Sequence, residues 1–216
     1  MKPSLYAVAM TLPEAWEWSL IKLRDLGAAY PGRYWQPGMP PGRQAQMTIR
    51  IERWCEEPRI HRGFPCSLDA LFEYRAEILH GSERPWEYTY YDRMRHWGGG
   101  AVHVDQYRYA LDCLTRKASS HKACISLAHP GADCVRGGDG THIPCLRHIG
   151  WEISNAGELN TYLHWRARDG LNAAFLNLFG LSFLAEQMAA DLSSAMMRPI
   201  TVGGCIDVSD DYHING

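Results

Sequence analysis

The chain has no C-x-x-C pair, and its seven cysteines, at positions 55, 66, 113, 124, 134, 145 and 205, are odd in number. Paired-cysteine zinc modules and a complete disulfide framework are thereby disfavoured, and the thiols read as reduced ones in a cytoplasmic protein. There is no surplus of basic residues: 22 Lys and Arg stand against 24 Asp and Glu, for a net charge of -2. A nucleic-acid partner would leave a basic excess, so any phosphate binding has to be local. No long uncharged run exists. The best one, Ala173 to Ala190, is interrupted by Asn177, Glu186 and Gln187, which suits a buried helix and not a membrane span. The opening MKPSLYAVAM is too short an apolar stretch for a secretory signal. Repeats and low-complexity linkers are missing too, and 216 residues with 46% hydrophobic content suit one large domain over 1–216, or two small ones.

Aromatic residues are abundant: eight Trp and eleven Tyr can build a core or stack on a flat ligand. Leu12 to Leu26 has helical character and Gly27 ends it. Ala28 to Gly42 is rich in Pro and Gly and reads as a loop. QMTIRIE alternates as a strand does. Ser67 can cap a helix running to about His80, which Gly81 ends. SERPWEYTYYDRMRHWGGG reads as a connection, and Val104 to Lys117 as a helix. HKACISLAHP reads as a strand ended by Pro130, followed by the loop GADCVRGGDG. Cys145 to Ser154 and Glu158 to Arg166 read as strands joined by a hairpin turn at NAG. Leu171 to Leu192 is the longest apolar helix, and RPITVGGCIDVSD is a last strand. The mixture is α+β, a sheet covered by helices.

The stretch GTHIPCLRHIGWEI, Gly140 to Ile153, concentrates the chemistry. His142, Cys145 and His148 are residue types that zinc accepts, but no fourth ligand in a second close pair exists. In a strand, the odd offset between Cys145 and His148 turns their side chains to opposite faces, which is poor for chelation. A buried structural cysteine is the plain alternative. Two features favour a nucleophile. The preceding loop carries His129, Arg136, Gly137 and Gly138, and the following hairpin ends in WRARDG, ahead of a helix containing Asn177. A thiol near Arg or His is readily activated.

Pro144-Cys145, then Arg166-Ala167-Arg168-Asp169, then Asn177, then DDYHI with His213, resemble the thymidylate synthase and pyrimidine-nucleotide hydroxymethylase superfamily. YTYYDRMR, VDQY and SHKACISLAHP add to the likeness, which runs from about Ser67 to the end of the chain. The resemblance implies a thymidylate synthase-like fold with a mixed β-sheet, and one sheet face packed in a homodimer. It implies one-carbon transfer from 5,10-methylenetetrahydrofolate to C5 of a pyrimidine nucleoside monophosphate, with Cys145 adding to C6. Tyr90 and one of Glu73 and Glu77 then serve proton transfer, Glu73 and Glu77 lying four apart on one helix face, and Asp169 orders folate and water near the base. Arg166 matches a phosphate ligand, and a guanidinium suits a phosphate dianion. Asn177 matches the base-reading amide, and His213 a ligand of a sugar hydroxyl. Asp169 and Trp97 fall on the cofactor side. His121 and Lys122 match a basic pair reaching the partner subunit's phosphate, and Arg43 is a further candidate phosphate ligand.

Several positions depart from the family pattern. Asn215 stands where a tyrosine is usual, Gly150 and Trp165 replace glutamines, Ala167 replaces a serine, and Lys122 replaces an arginine. Ala167 with Lys122 resembles the branch that hydroxymethylates CMP, and a chain ending at Gly216 without the closing tail of the long synthases points the same way. Asn177 argues for uracil, although a flipped amide can read cytosine. The expected activity is CMP 5-hydroxymethylation, with methylation of dUMP as the alternative. A nucleotide-binding protein without turnover and a metal module on His142, Cys145 and His148 are the competing classes.

Overall fold

A computed structural model of the chain describes residues 1–32, 36–84, 86, 88–97, 103–134 and 143–215. The first strand, β1 (Ser4–Ala9), is followed by helix α1 (Leu12–Leu26), in which the Glu14 carboxylate accepts from the Thr11 N–H at 3.2 Å and Gly27 closes the end. The segment after α1, expected as loop, begins instead with a short strand, β2 (Ala28–Tyr30), that pairs antiparallel with β3 (Gly42–Ile51). Helix α2 (Leu68–His80) starts at Ser67, whose Oγ accepts from the Ala70 N–H, and stops at Gly81. The aromatic connection that follows contains a helical turn and a half, α3 (Tyr90–Arg95), capped by Thr89. Helix α4 (Gln106–Arg116) is capped by Asp105, so Val104 lies outside it, bridged to Trp97.

Strand β4 (Cys124–Ser126) leads to the short helix α5 (Pro130–Asp133), so Pro130 opens a helical turn as well as ending the strand segment. The hairpin β5 (Leu146–Ile153) and β6 (Glu158–Trp165) turns at Gly157, whose φ of 84° is left-handed and costs glycine little. A two-residue strand, β7 (Arg168–Asp169), precedes the long helix α6 (Ala174–Met196) and the last strand β8 (Thr201–Ile214).

All strands among the described residues belong to one mixed sheet in the order β1-β3-β8-β6-β5-β4, with β2 added on β3 and β7 on β8. The final strand enters the middle of the sheet, parallel to β6 and antiparallel to β3, and also takes up the short β7 in parallel. The helix α6 makes that crossover and packs against β6, β8 and helices α1, α2 and α4. Helices cover one face only. On that side Ala45, Met47, Ile49 and Ile51 of β3 meet Leu12, Trp16 and the apolar side of α6. The other face carries cross-strand rows such as Val8, Arg50, Ile206 and Tyr162, and Tyr6, Val8 and Ile206 are exposed there. None of the described helices is long and apolar enough to cross a membrane.

Candidate active site

The chain reaches one end of the sheet four times. Cys145 lies just before β5, Arg166 and Ala167 just after β6, Asp169 in β7 and His213 near the end of β8. The pairings Leu146 to Trp165, Trp165 to Ser209 and Asp169 to His213 bring these ends together. The first turns of α6 supply Ala173 and Asn177, and α3 supplies Tyr90. The result is a cavity of about 320 Å³ lined by Tyr90, Cys145, Ala167, Arg168, Asp169, Ala173, Asn177 and His213. Residues more than 100 positions apart thus face one space, which is how a polar site forms on an otherwise apolar sheet end.

At the sulfur, Arg166 Nη2 lies 3.7 Å from Cys145 Sγ and donates to the Ile143 carbonyl at 3.1 Å. The Arg166 N–H also donates to the Cys145 carbonyl at 2.8 Å, so one residue fixes the thiol's backbone and supplies its cation. Tyr90 Oη accepts from the Leu146 N–H at 3.3 Å. Burial above all, with Tyr74, Tyr88 and Cys145 close by, pushes the Tyr90 phenol well up, so it stays a neutral hydroxyl at the sulfur. Cys145 lies just before β5 and opens on this cavity, while His148, past a register shift between Leu146 and His148, lines a hollow on the uncovered sheet face. His142, Arg136, Gly137 and Gly138 lie outside the described residues. Among those described, no three His, Cys, Asp or Glu residues are grouped to hold a metal ion.

Asn177 is 8% exposed, and its Nδ2 donates to the hydroxyl of Tyr74 at 2.7 Å. That hydroxyl is the partner an apolar helix could not provide, and it leaves the amide oxygen toward the cavity. Tyr74 is held by close packing of α2 on α6: a Cβ on Gly180 would lie 2.8 Å from its ring. Beside the first cavity is a second, of about 380 Å³, lined by Tyr74, Glu77, Trp86, Tyr88, Thr89, Tyr90 and Asn177. Tyr90 and Asn177 belong to both, so the two form one cleft.

The two glutamates of α2 both line an outer hollow with Tyr74, Arg84 and Trp86, and of the two it is Glu77 that also lines the second cavity. Glu77 borders the second cavity, and burial, helped by Asp92, raises its carboxyl above the ordinary value against the opposing pull of Arg84 and a Trp86 hydrogen bond. Glu73 is exposed and paired with Arg84 at 2.9 Å, away from that cavity's lining. The Asp169 carboxylate is busy within its own turn: Oδ1 accepts from the Leu171 and Asn172 N–H groups, and Oδ2 from Asn172 Nδ2, each at 2.9 Å. It shapes the entry to α6 and still lines the cavity. His213 Nδ1 sits 3.3 Å from Asp211 Oδ2, an ion-pair contact without an aligned hydrogen bond. Asp211 raises the imidazole, while His213 and Lys2 hold the Asp211 carboxyl down to about 2.

Behind the cavity wall Arg168 and Asp207 form a fully buried ion pair, with Trp165 Nε1 donating to Asp207 at 2.6 Å. The Arg168 guanidinium is layered on Trp165 and Tyr212. The pair ties β7, and with it Ala167 and Asp169, to the centre of β8.

Four expected residues lie elsewhere. Arg43 is in strand β3 and not in the early loop, and its Nη1 reaches the Gly27 carbonyl at 3.3 Å. Trp97 sits under the guanidinium of Arg93 and edge-on to His129, and it lines neither cavity. The exposed tryptophan of the cleft is Trp86. His121 and Lys122 occupy an exposed turn before β4, and His121 lines a hollow with Gly150, Glu152 and Tyr162 on the uncovered sheet face. Tyr74, Trp86 and Tyr88 were not singled out from the sequence. Tyr74 precedes Glu77 by three residues on one helix face, a spacing that was available. For Trp86 and Tyr88 nothing in the sequence marked them out from eleven tyrosines and eight tryptophans.

No protein-family model matches the chain. It is similar to three archaeal proteins that bear the name "Putative thymidylate synthase". The protein of Methanothermobacter thermautotrophicus is 30% identical over 135 residues, 62% of this chain and 56% of that one. That of Methanothermobacter marburgensis is 28% identical over 154 residues, 71% and 65% of the two chains. That of Methanosarcina barkeri is 26% identical over 185 residues, 84% and 78%. The first two matches cover less than two thirds of the relatives' own length. The chain is thus a distant relative of archaeal proteins with this name.

Proposed function

We propose that the cleft carries out one-carbon transfer to C5 of a pyrimidine nucleoside monophosphate. The observation that carries this reading is the single cavity in which the Cys145 thiol, with Arg166 at its sulfur, faces Tyr90, Asp169, Asn177 and His213. Carbon 5 of a pyrimidine is a poor nucleophile. Addition of the Cys145 sulfur to C6 places electron density on C5, dividing one hard step into two easier ones. Asn177, anchored by Tyr74, reads the base edge. Tyr90 and Glu77 hold protons beside the base, Glu77 with a carboxyl raised by burial. Arg166 takes the phosphate and His213 a sugar hydroxyl.

The aromatic walls of the second cavity, Tyr74, Trp86, Tyr88 and Tyr90 with one carboxylate, fit a flat polar ring system such as a folate. When bound there, 5,10-methylenetetrahydrofolate supplies the one-carbon unit. His121 and Lys122 are too far round the sheet to serve this cavity. They support a homodimer formed on the uncovered sheet face, in which each reaches the other subunit's phosphate.

The name of the archaeal relatives favours methylation of dUMP. A second reading, hydroxymethylation of CMP, is favoured by Ala167, which lines the cavity and offers no hydroxyl. The test is incubation with methylenetetrahydrofolate and each of dUMP, UMP, dCMP and CMP tritiated at C5, with tritium release and product mass measured. Release from dUMP with a methyl product supports the first, and release from CMP with a hydroxymethyl product supports the second. A protein that binds these nucleotides without release has the fold and not the reaction.

A further inference from the structure

Asn215 stands at a position where the resembled family has a tyrosine, beside the sugar-end His213. The structure brings a different tyrosine to that place. Tyr30 ends β2, and its hydroxyl donates to Asn215 Oδ1 at 3.0 Å. Its ring lies edge-on to His213, with 6.1 Å between centroids and 72° between planes. Pairing of Tyr30 with Gly42 lays the ring over the glycine, where a Cβ would lie 2.7 Å from Tyr30 Cε1 and 2.5 Å from the Ile214 carbonyl. The ring's seat is therefore built into the start of β3, and the hydroxyl's direction into the end of β8. Burial, followed by the Asp211 and Asp169 carboxylates, raises the Tyr30 phenol, which places its hydroxyl within the field of the same acidic groups that surround His213.

Resting on the nucleotide reading above, we propose that Tyr30 is a sugar-binding residue of this site. Its phenolic oxygen, with its proton given to Asn215, accepts a hydrogen bond from a ribose or deoxyribose hydroxyl beside His213. A hydroxyl supplied from β2 thereby sets a phenolic acceptor beside His213, where Asn215 has no phenol of its own. The competing role is a mere tie between β2 and the end of β8, which would be blind to the ligand's hydroxyls.

The discriminating ligand is one without hydroxyls. Dissociation constants are measured for wild type, Tyr30→Phe and Asn215→Ala with the ribo-, 2'-deoxyribo- and 2',3'-dideoxyribonucleoside monophosphates of uracil and cytosine. Tyr30→Phe keeps the ring on Gly42, and thermal midpoints confirm folding. Expected is a loss of about three- to tenfold for the hydroxyl-bearing nucleotides in Tyr30→Phe, with the dideoxy constant unchanged. Asn215→Ala, which releases the phenol, shows the same pattern and carries the test should Tyr30→Phe fold poorly. An equal loss on all three sugars, or none on any, overturns the proposal. So does wild-type protein that binds hydroxyl-bearing and dideoxy nucleotides equally, a result that leaves the nucleotide reading standing. Wild-type protein that binds none of the six overturns that reading, and this proposal with it.

Discussion

Cys145 and the pair of glutamates on α2 give the sharpest expectations for single residues. Replacing Cys145 by Ser removes the nucleophile while leaving Asn177, His213 and Arg166 in place. Turnover is expected to fall by several orders of magnitude with nucleotide affinity retained, checked by tritium release and equilibrium binding. Glu77→Gln is expected to lower kcat roughly a hundred- to ten-thousandfold, because this carboxyl borders the cleft and is raised by burial. Glu73→Gln, which only frees Arg84, is expected to leave kcat unaltered. Comparing the two variants decides what sequence spacing left open. The His213 and Asp211 contact gives a pH signature. Asp211 raises His213, so this stabilisation is full below the ordinary imidazole pKa and is lost as pH rises through the raised value. On the acid side the contribution of the depressed Asp211 is full above the ordinary carboxyl value, falls away below it, and is lost as pH passes through about 2. Asp211→Asn is expected to move the His213 titration downward in proton NMR, and to narrow its stability deficit to wild type as pH rises past that titration.

Helix α2 and helix α6 act together on the site. Gly180 lets the Tyr74 ring lie against α6, and Tyr74 in turn holds Asn177. Gly180→Ala would gain helix propensity, but its Cβ would lie 2.8 Å from the Tyr74 ring, which must shift, and tightly, at 3.2 Å, against Ile78. The expected balance is a loss of roughly 1–3 kcal/mol in denaturant unfolding, accompanied by weaker nucleotide binding. The glycines ending α1 and α2 and the cap at Ser67 were readable from the sequence because each acts within a few residues. The strand β1 was not, since MKPSLYAVAM carries no turn chemistry around it and its apolar alternation is short. Strand β2 was hidden for the opposite reason: the Pro- and Gly-rich run AAYPGRYWQPGMPPG signals a loop, yet three of its residues find an edge on β3.

At the scale of the molecule, a sheet with helices on one face leaves the other face uncovered, and His121 and Lys122 border it. If two copies meet there and exchange phosphate ligands, inactive subunits complement one another. A mixture of Cys145→Ser protein with Lys122→Ala protein is expected to recover up to about a quarter of wild-type activity after subunit exchange, as follows from random pairing in a two-fold dimer. Recovery of none, with exchange demonstrated, would place each site within one chain. The buried Arg168 and Asp207 pair spans β7 and β8. Asp207→Asn leaves a buried guanidinium without its counter-ion, with an expected cost of about 3–5 kcal/mol in thermal or urea unfolding.

The sequence by itself determined the helices with local caps and the hairpin β5–β6, because short-range spacing and residue type carry that information, whereas Cys145, Asp169, Asn177 and His213 came forward as candidates through the resemblance of their motifs to a known family. The pairing of β8 with β6 and β3 was decided only in three dimensions, since a strand that crosses over a 23-residue helix can enter a sheet at several places. So were the half-burial of Glu77 beside an exposed Glu73, the support of Asn177 by Tyr74, and the arrival of Tyr30 beside His213. Each joins segments far apart in the chain, and burial and packing choose among partners that local pattern leaves equivalent.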